Sequence, residues 1–345
     1  MAMNFNNSSY VHENSRCDFS DSSFAVQISK IIVFAIILIS SLVGNTLIII
    51  IVYRRPELRK TINFFIVNMA VSDFVFPLIA VPFNMMEIAS GSLQWPIHGT
   101  VGLTLCKLKW FLQSVSITVS TESLVWIALD RFVAVVFPLR LHLFSSRSRA
   151  FAIASTWFVA VLGNAYHFHL FELVKENDQT ICSNFYNTND SYMTYSKVYT
   201  ALFQIVPLIA MTVLYSAIAV NLRRQDKALG SQSGQQGNQR KKQAIKMAFS
   251  VMAAFYFCVL PMISYFILWE YEILLSCSFR KVLLFIGALM LYLSSTINPV
   301  ICMTFVHSYR RGLRELFNSC WCKWFAARNI EIGEGEEINL QRITE

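Results

Sequence analysis

Charge is what this sequence has least of. Only 14% of its 345 residues are Asp, Glu, Lys or Arg, whereas a soluble chain of this length carries nearer a quarter. The scarcity is concentrated in stretches. Ile31 to Tyr53, Ala150 to Phe171, Val198 to Leu222, Met247 to Trp269 and Val282 to Val306 contain no charged residue at all. Each exceeds the roughly 20 residues a helix needs to cross about 30 Å of hydrocarbon. Ile62 to Met86, with Asp73, and Leu105 to Val136, with Lys107, Lys109, Glu122, Asp130 and Arg131, qualify despite their charges. Seven spans result, which excludes a soluble helical protein with its shorter amphipathic core helices.

Other absences narrow the function. No cysteine or histidine cluster has metal-ligand spacing, and His167 and His169 straddle different faces of a helix. Nothing resembles paired carboxylates, a metal set or a nucleophile with its base, so catalysis is not expected. A transporter would show a duplicated half, and none is visible. The first 27 residues lack the apolar core of a cleavable signal peptide, so the first span must serve as the signal anchor. A net charge of +8 does not point to nucleic acid, because topology places the basic residues.

Those residues set the orientation, since Lys and Arg accumulate on the cytoplasmic side. One set of loops holds Arg54, Arg55, Arg59 and Lys60, then Arg140, Arg147 and Arg149, then Arg223 to Lys246, then Arg310, Arg311 and Arg314. The opposite set holds mostly acids: Glu13, Asp18, Asp21, Glu172, Glu176, Asp178, Asp190, Glu270 and Glu272. The N-terminus is therefore expected outside and the C-terminus inside. Sequons at Asn6, Asn7 and Asn189 all fall on the outside, where glycosylation occurs.

Cysteines divide by compartment. Cys106 opens the third span at its outer end and Cys182 lies in an outer loop, where a disulfide would tether that loop over the bundle. Cys17 and Cys277 could form a second. Cys258 and Cys302 lie within spans as small apolar groups. Cys320 and Cys322 follow a short amphipathic basic segment, a setting in which palmitoylation occurs.

Two charges, Asp130 and Arg131, end the third span, and intramembrane charges are functional-site candidates by default. At this point the chain resembles the rhodopsin-like class of G protein-coupled receptors. The marks occur in order: Gly44-Asn45, Asn68 to Asp73, Asp130-Arg131-Phe132, Trp157, Pro207 and Tyr215, Phe255 with Cys258 and Pro261, and Asn298-Pro299. The resemblance implies an all-α integral membrane bundle of seven helices over 28–306. Around it stand an outer tail 1–27, an amphipathic eighth helix 307–319 and an inner tail 320–345. It implies that Asp130 restrains Arg131 at rest and that Arg131 meets a heterotrimeric G protein once the sixth span swings on Pro261. It also implies that Asp73, Asn45, Ser120, Ser294, Ser295 and Asn298 form a buried cluster able to hold an allosteric sodium ion, with no other cofactor. The chain departs from the pattern at Val259, Cys302, Phe132 and Lys241, which removes the usual toggle, tyrosine link and acidic clasp. A loosely latched resting state with measurable basal activity is expected.

The ligand reading rests on the outer half. Gln113 stands where amine receptors carry an aspartate, and an amide cannot pair with an ammonium as a carboxylate does. Tyr292 occupies the position of the retinal lysine, which argues against light sensing. Gln113 resembles the glutamine of receptors for neuropeptide Y, neuropeptide FF and orexin. Glu270 matches an acid that in those receptors engages a ligand arginine. The resemblance therefore implies a basic, C-terminally amidated peptide. Its site would be drawn from Gln113, Glu270, Glu172, Asn84, Ser116, Ile117 and Tyr292. The alternatives are a small amine or lipid ligand, or a receptor defined by basal activity. The Gly/Ser/Gln-rich stretch from Leu229 to Gln239 is expected to be a flexible inner loop.

Overall fold

The computed structural model describes residues 23–90, 94–137, 145–176, 179–183, 190–228, 235–270 and 276–318. Among them run seven long helices. These are α1 Phe24–Arg54, α2 Thr61–Ser90, α3 Gly99–Val136 and α4 Ser146–Asn164. Then come α5, α6 Gln235–Glu270 and α7 Cys277–Phe305. α5 comprises Asp190–Thr200, a π-helical turn Ala201–Ile205 and Val206–Ala228. Residues 307–318 form α8, set off from α7 at Val306.

Helical periodicity sorts α1 into two faces. Phe34, Ile37, Ser41, Asn45, Ile48 and Val52 are buried, whereas Ile32, Ile36, Ile39 and Val43 are exposed. The exposed stripe is mostly apolar, interrupted by the small hydroxyls of Ser40 and Thr46, as suits a lipid-facing surface. Five helices are apolar enough along their length to cross a membrane on composition alone. The other two are α3, which carries five charged side chains, and α4, which is only 19 residues long and begins with Arg147 and Arg149. α3 is the axis of the bundle, packing against α2, α4, α5 and α6. Gly44 lets α1 approach α7 closely, because a Cβ there would stand 3.0 Å from the Pro299 ring.

Two boundaries differ from the sequence reading, and α5 contains an irregular turn. The charge-free run to Phe171 suggested a longer fourth span, but α4 stops at Asn164. His167 Nδ1 meets the Asn164 carbonyl at 3.0 Å and its Nε2 meets Ser114 Oγ at 3.1 Å, pinning the helix end to α3. A helical turn His167–Leu170 follows, then an antiparallel hairpin of β1 Glu172–Glu176 and β2 Gln179–Ser183. The π-helical turn in α5 directly precedes Pro207, whose missing N–H makes a register shift there inexpensive. Residues 235–239, expected in a flexible loop, instead begin α6. Glutamine and the following basic residues are good helix formers, so the pattern extends below the apolar span.

Candidate functional site

The outer end of the bundle carries a tied-down lid. Cys106 and Cys182 form a disulfide with Cα atoms 5.7 Å apart. Because Leu173 pairs with Cys182, that bond fastens the hairpin across the top of α3. Trp95, in the loop after α2, supports it from the side. Its main-chain N–H donates to the Thr180 carbonyl at 2.7 Å and its indole N–H donates to the Gly102 carbonyl at 3.1 Å. Its ring stacks on Phe83 at 4.4 Å. Phe171, just before β1, stacks on Trp110 of α3 at 4.8 Å. Cys277 is also disulfide-bonded; Cys17, its expected partner, lies outside the described residues. So do Asn6, Asn7, Asn189, Cys320 and Cys322.

Under the lid, the expected pocket residues divide. Gln113 is buried on the inner face of α3. Asn84 donates to the Tyr292 hydroxyl at 2.7 Å, joining α2 to α7. Tyr292 is fixed between Phe34, edge-on at 5.6 Å, and Phe76, stacked at 5.0 Å. Ile117 packs into the main hydrophobic core. Ser116 stands apart from this group. It hydrogen-bonds Asp73 instead, because one helical stripe of α3 carries 113, 116 and 120 successively deeper. Glu172 is exposed and lines an outer recess of about 820 Å³ with Gln94, His98, Lys107, Lys175 and Thr180, a set without Gln113, Asn84 or Tyr292. α6 ends at Glu270, whose side chain is not among the described ones.

Sequence reasoning missed a pair in this layer. Lys109 donates to Glu87 Oε1 at 2.8 Å, with side-chain exposures of 4% and 23%. The second span was expected to end at Met86, one residue short of Glu87. The outer side is also less one-sidedly acidic than the loops suggested, since Lys107, Lys109, Lys175, Lys197, Arg280 and Lys281 stand on its elements.

Deeper, the Asp73 carboxylate collects polar partners from two helices, α3 and α7. Asn298 donates to its Oδ2 at 2.9 Å and Ser120 to its Oδ1 at 3.3 Å, with Ser116 as a third. Asn45 braces the cluster by donating to the Ser295 and Ser41 carbonyls, each at 2.9 Å. Ser294 and Ser295, expected on the carboxylate, donate instead to the Leu291 and Tyr292 carbonyls of their own helix. Such back-bonding is the usual recourse of hydroxyls inside a helix. Two buried carbonyl oxygens, Asn45 Oδ1 and Asn298 Oδ1, have no partner. A carboxylate, hydroxyls and orphaned amide oxygens are the hard donors a small cation takes.

At the opposite end of the bundle, Arg131 folds back onto Asp130, with Nε donating to Oδ2 at 3.0 Å and a terminal nitrogen paired to the same oxygen. Tyr215 of α5 lies within electrostatic reach of Arg131. α6 is tied to α7. Gln243 donates to the Phe305 carbonyl at 3.1 Å and Lys246 sits 5.8 Å over the Phe305 ring. Cys302 is a buried thiol. The nearby hydroxyl comes from Tyr309 of α8, fully buried and donating to Asn63 Oδ1 at 3.1 Å. An outward swing of α6, which the resemblance implies, would break the Gln243 contact. Gln243→Ala is therefore expected to raise ligand-free G protein activation about twofold to tenfold, the value of one neutral hydrogen bond. Unchanged basal activation at matched surface expression would remove this tie from the resting latch.

Seven helices around a central α3, a buried Asp73 and an Asp130–Arg131 pair define a membrane receptor. The family described as 7 transmembrane receptor (rhodopsin family) matches residues 44–301, well over half the sequence. The chain belongs to this family of G protein-coupled receptors and is a multi-pass protein of the plasma membrane. The "QRFP-like peptide receptor" of Branchiostoma floridae is 29% identical over 283 residues, covering 79% of this chain and 72% of that receptor. "Neuropeptide FF receptor 1" of Rattus norvegicus is 28% identical over 319 residues, covering 85% and 71%. "Neuropeptide FF receptor 2" of Mus musculus is 26% identical over 307 residues, covering 83% and 72%.

Proposed function

We propose that the ligand is a basic, C-terminally amidated peptide that enters from the outer face and, through Arg131, activates a heterotrimeric G protein. The observation that carries this reading is Gln113, a buried neutral amide on α3 two helical turns below the disulfide-bonded Cys106. A primary amide both donates and accepts, so it can match the –CONH₂ end of a peptide. It offers no counter-ion to a monoamine. Relatives named for QRFP-like peptides and neuropeptide FF support the same ligand class. The direct test is binding of a labelled peptide ending in Arg-Phe-amide beside its free-acid form. Preference for the amide that is lost in Gln113→Ala supports the reading; equal binding of both forms contradicts it.

The N-terminus lies outside and the C-terminus inside, following the Lys and Arg bias of the loops. An N-terminal epitope tag that antibodies cannot reach on intact cells would contradict this. Sodium is assigned to the Asp73 cluster, with Ser116, Ser120, Asn45 and Asn298 as the oxygen donors fitting it. Replacing potassium by sodium should lower agonist affinity in the wild type and have no effect in Asp73→Asn. Sodium sensitivity that survives in Asp73→Asn would move the ion elsewhere.

A further inference from the structure

We propose that Glu87 is a cation subsite of the outer cavity, occupied at rest by Lys109, and that the guanidinium of an arginine ligand takes the place of Lys109. This rests on the peptide reading above and adds a specificity residue to it.

The geometry begins with two helical turns. Glu87 lies three residues above Asn84 on α2, and Lys109 lies four residues above Gln113 on α3. The ion pair therefore forms the layer immediately outside the Asn84–Tyr292 bond and Gln113. Tyr292 of α7 is within electrostatic reach of Glu87, so the carboxylate faces the bundle interior between α2, α3 and α7. A structural ion pair could serve simply to join α2 to α3, but three features favour exchange.

The first is asymmetric exposure. Lys109 is enclosed, at 4% exposure, whereas Glu87 retains 23%. The carboxylate is therefore the more accessible partner of the pair. The second is denticity. Lys109 reaches Oε1 as a single point charge, whereas a guanidinium forks across both carboxylate oxygens. An arginine thus competes from the stronger position. The third is a resting place for the displaced ammonium. Lys109 Nζ stands 5.6 Å from the Trp95 ring centroid and 5.4 Å from that of Trp110. Indole faces attract a cation without a carboxylate, so Lys109 keeps favourable partners after Glu87 is taken. The same two rings hold the lid through Phe83 and Phe171. Filling the subsite therefore acts on the structure that covers the cavity.

The test uses full-length receptor in membranes and two labelled probes, a peptide ending in Arg-Phe-amide and its counterpart with citrulline in place of arginine. Citrulline keeps the shape and removes the charge. The wild type should prefer the arginine probe by about tenfold to a hundredfold, the value of a charge-assisted contact. Glu87→Gln should bring the ratio to about one by weakening the arginine probe alone, and Lys109→Met should keep or widen the preference. If Glu87→Gln does not reach the surface, the double variant Glu87→Gln/Lys109→Met removes both charges, leaves no buried ion unpaired, and should show the same ratio of about one. An arginine preference undiminished in either glutamine variant overturns the subsite and leaves the peptide reading intact. A wild type that binds neither probe overturns both.

Discussion

Trp95→Ala is expected to destabilise the receptor by about 3–5 kcal/mol, the usual range for removing a buried tryptophan. Trp95 is fully buried, and the loss has three parts. The stack on Phe83 disappears, the Gly102 carbonyl loses its indole donor, and Lys109 loses one of its two ring faces. The main-chain bond to Thr180 survives the substitution but loses its anchor. Thermal unfolding of the detergent-solubilised receptor measures the effect. Trp95→Phe keeps a ring against Phe83 and should cost less, about 0.5–1.5 kcal/mol for the lost indole hydrogen bond. A shift for Trp95→Ala no larger than that of an exposed substitution would mean that the lid does not depend on this residue.

Arg131→Ala is expected to abolish agonist-driven G protein activation while the receptor still reaches the cell surface. The Arg131 guanidinium offers several donors at this end of the bundle, and among the described residues its ion-pair partner is Asp130. Asp130→Asn should have the opposite sign, raising ligand-free activation by about tenfold or more, because a charged hydrogen bond is lost from the resting state. Lysine at 131 should recover little, since it cannot fork across several acceptors. Full signalling by Arg131→Ala would contradict the role assigned to the pair.

The parts of this site legible in the sequence are those that hydrocarbon makes expensive. Asp73 and Asp130–Arg131 announce themselves because a charge inside a span must have partners, and Asn298 was a natural partner for Asp73. Depth along a helix is harder to read. Ser116 was placed with Gln113 although its hydroxyl serves Asp73, because residues one turn apart share a face and sequence does not tell where the cavity stops. Glu87 lies one residue beyond the apolar run of the second span, and helix ends are the least determined feature of such a run. The end of α4 depended on His167 reaching a main-chain carbonyl and Ser114, contacts with no pattern of their own. The Gln243 tie is likewise invisible in sequence, since its acceptor is the Phe305 carbonyl, a group every residue carries.

The central claim is that an amidated basic peptide at the outer cavity drives a G protein through this chain. Its most direct test is G protein activation in cells expressing the full chain, challenged with a panel of amidated peptides and a panel of monoamines. The account predicts a response to a peptide ending in Arg-Phe-amide that collapses in Gln113→Ala. A response to a monoamine, with silence to every amidated peptide from a receptor present at the surface, would contradict it.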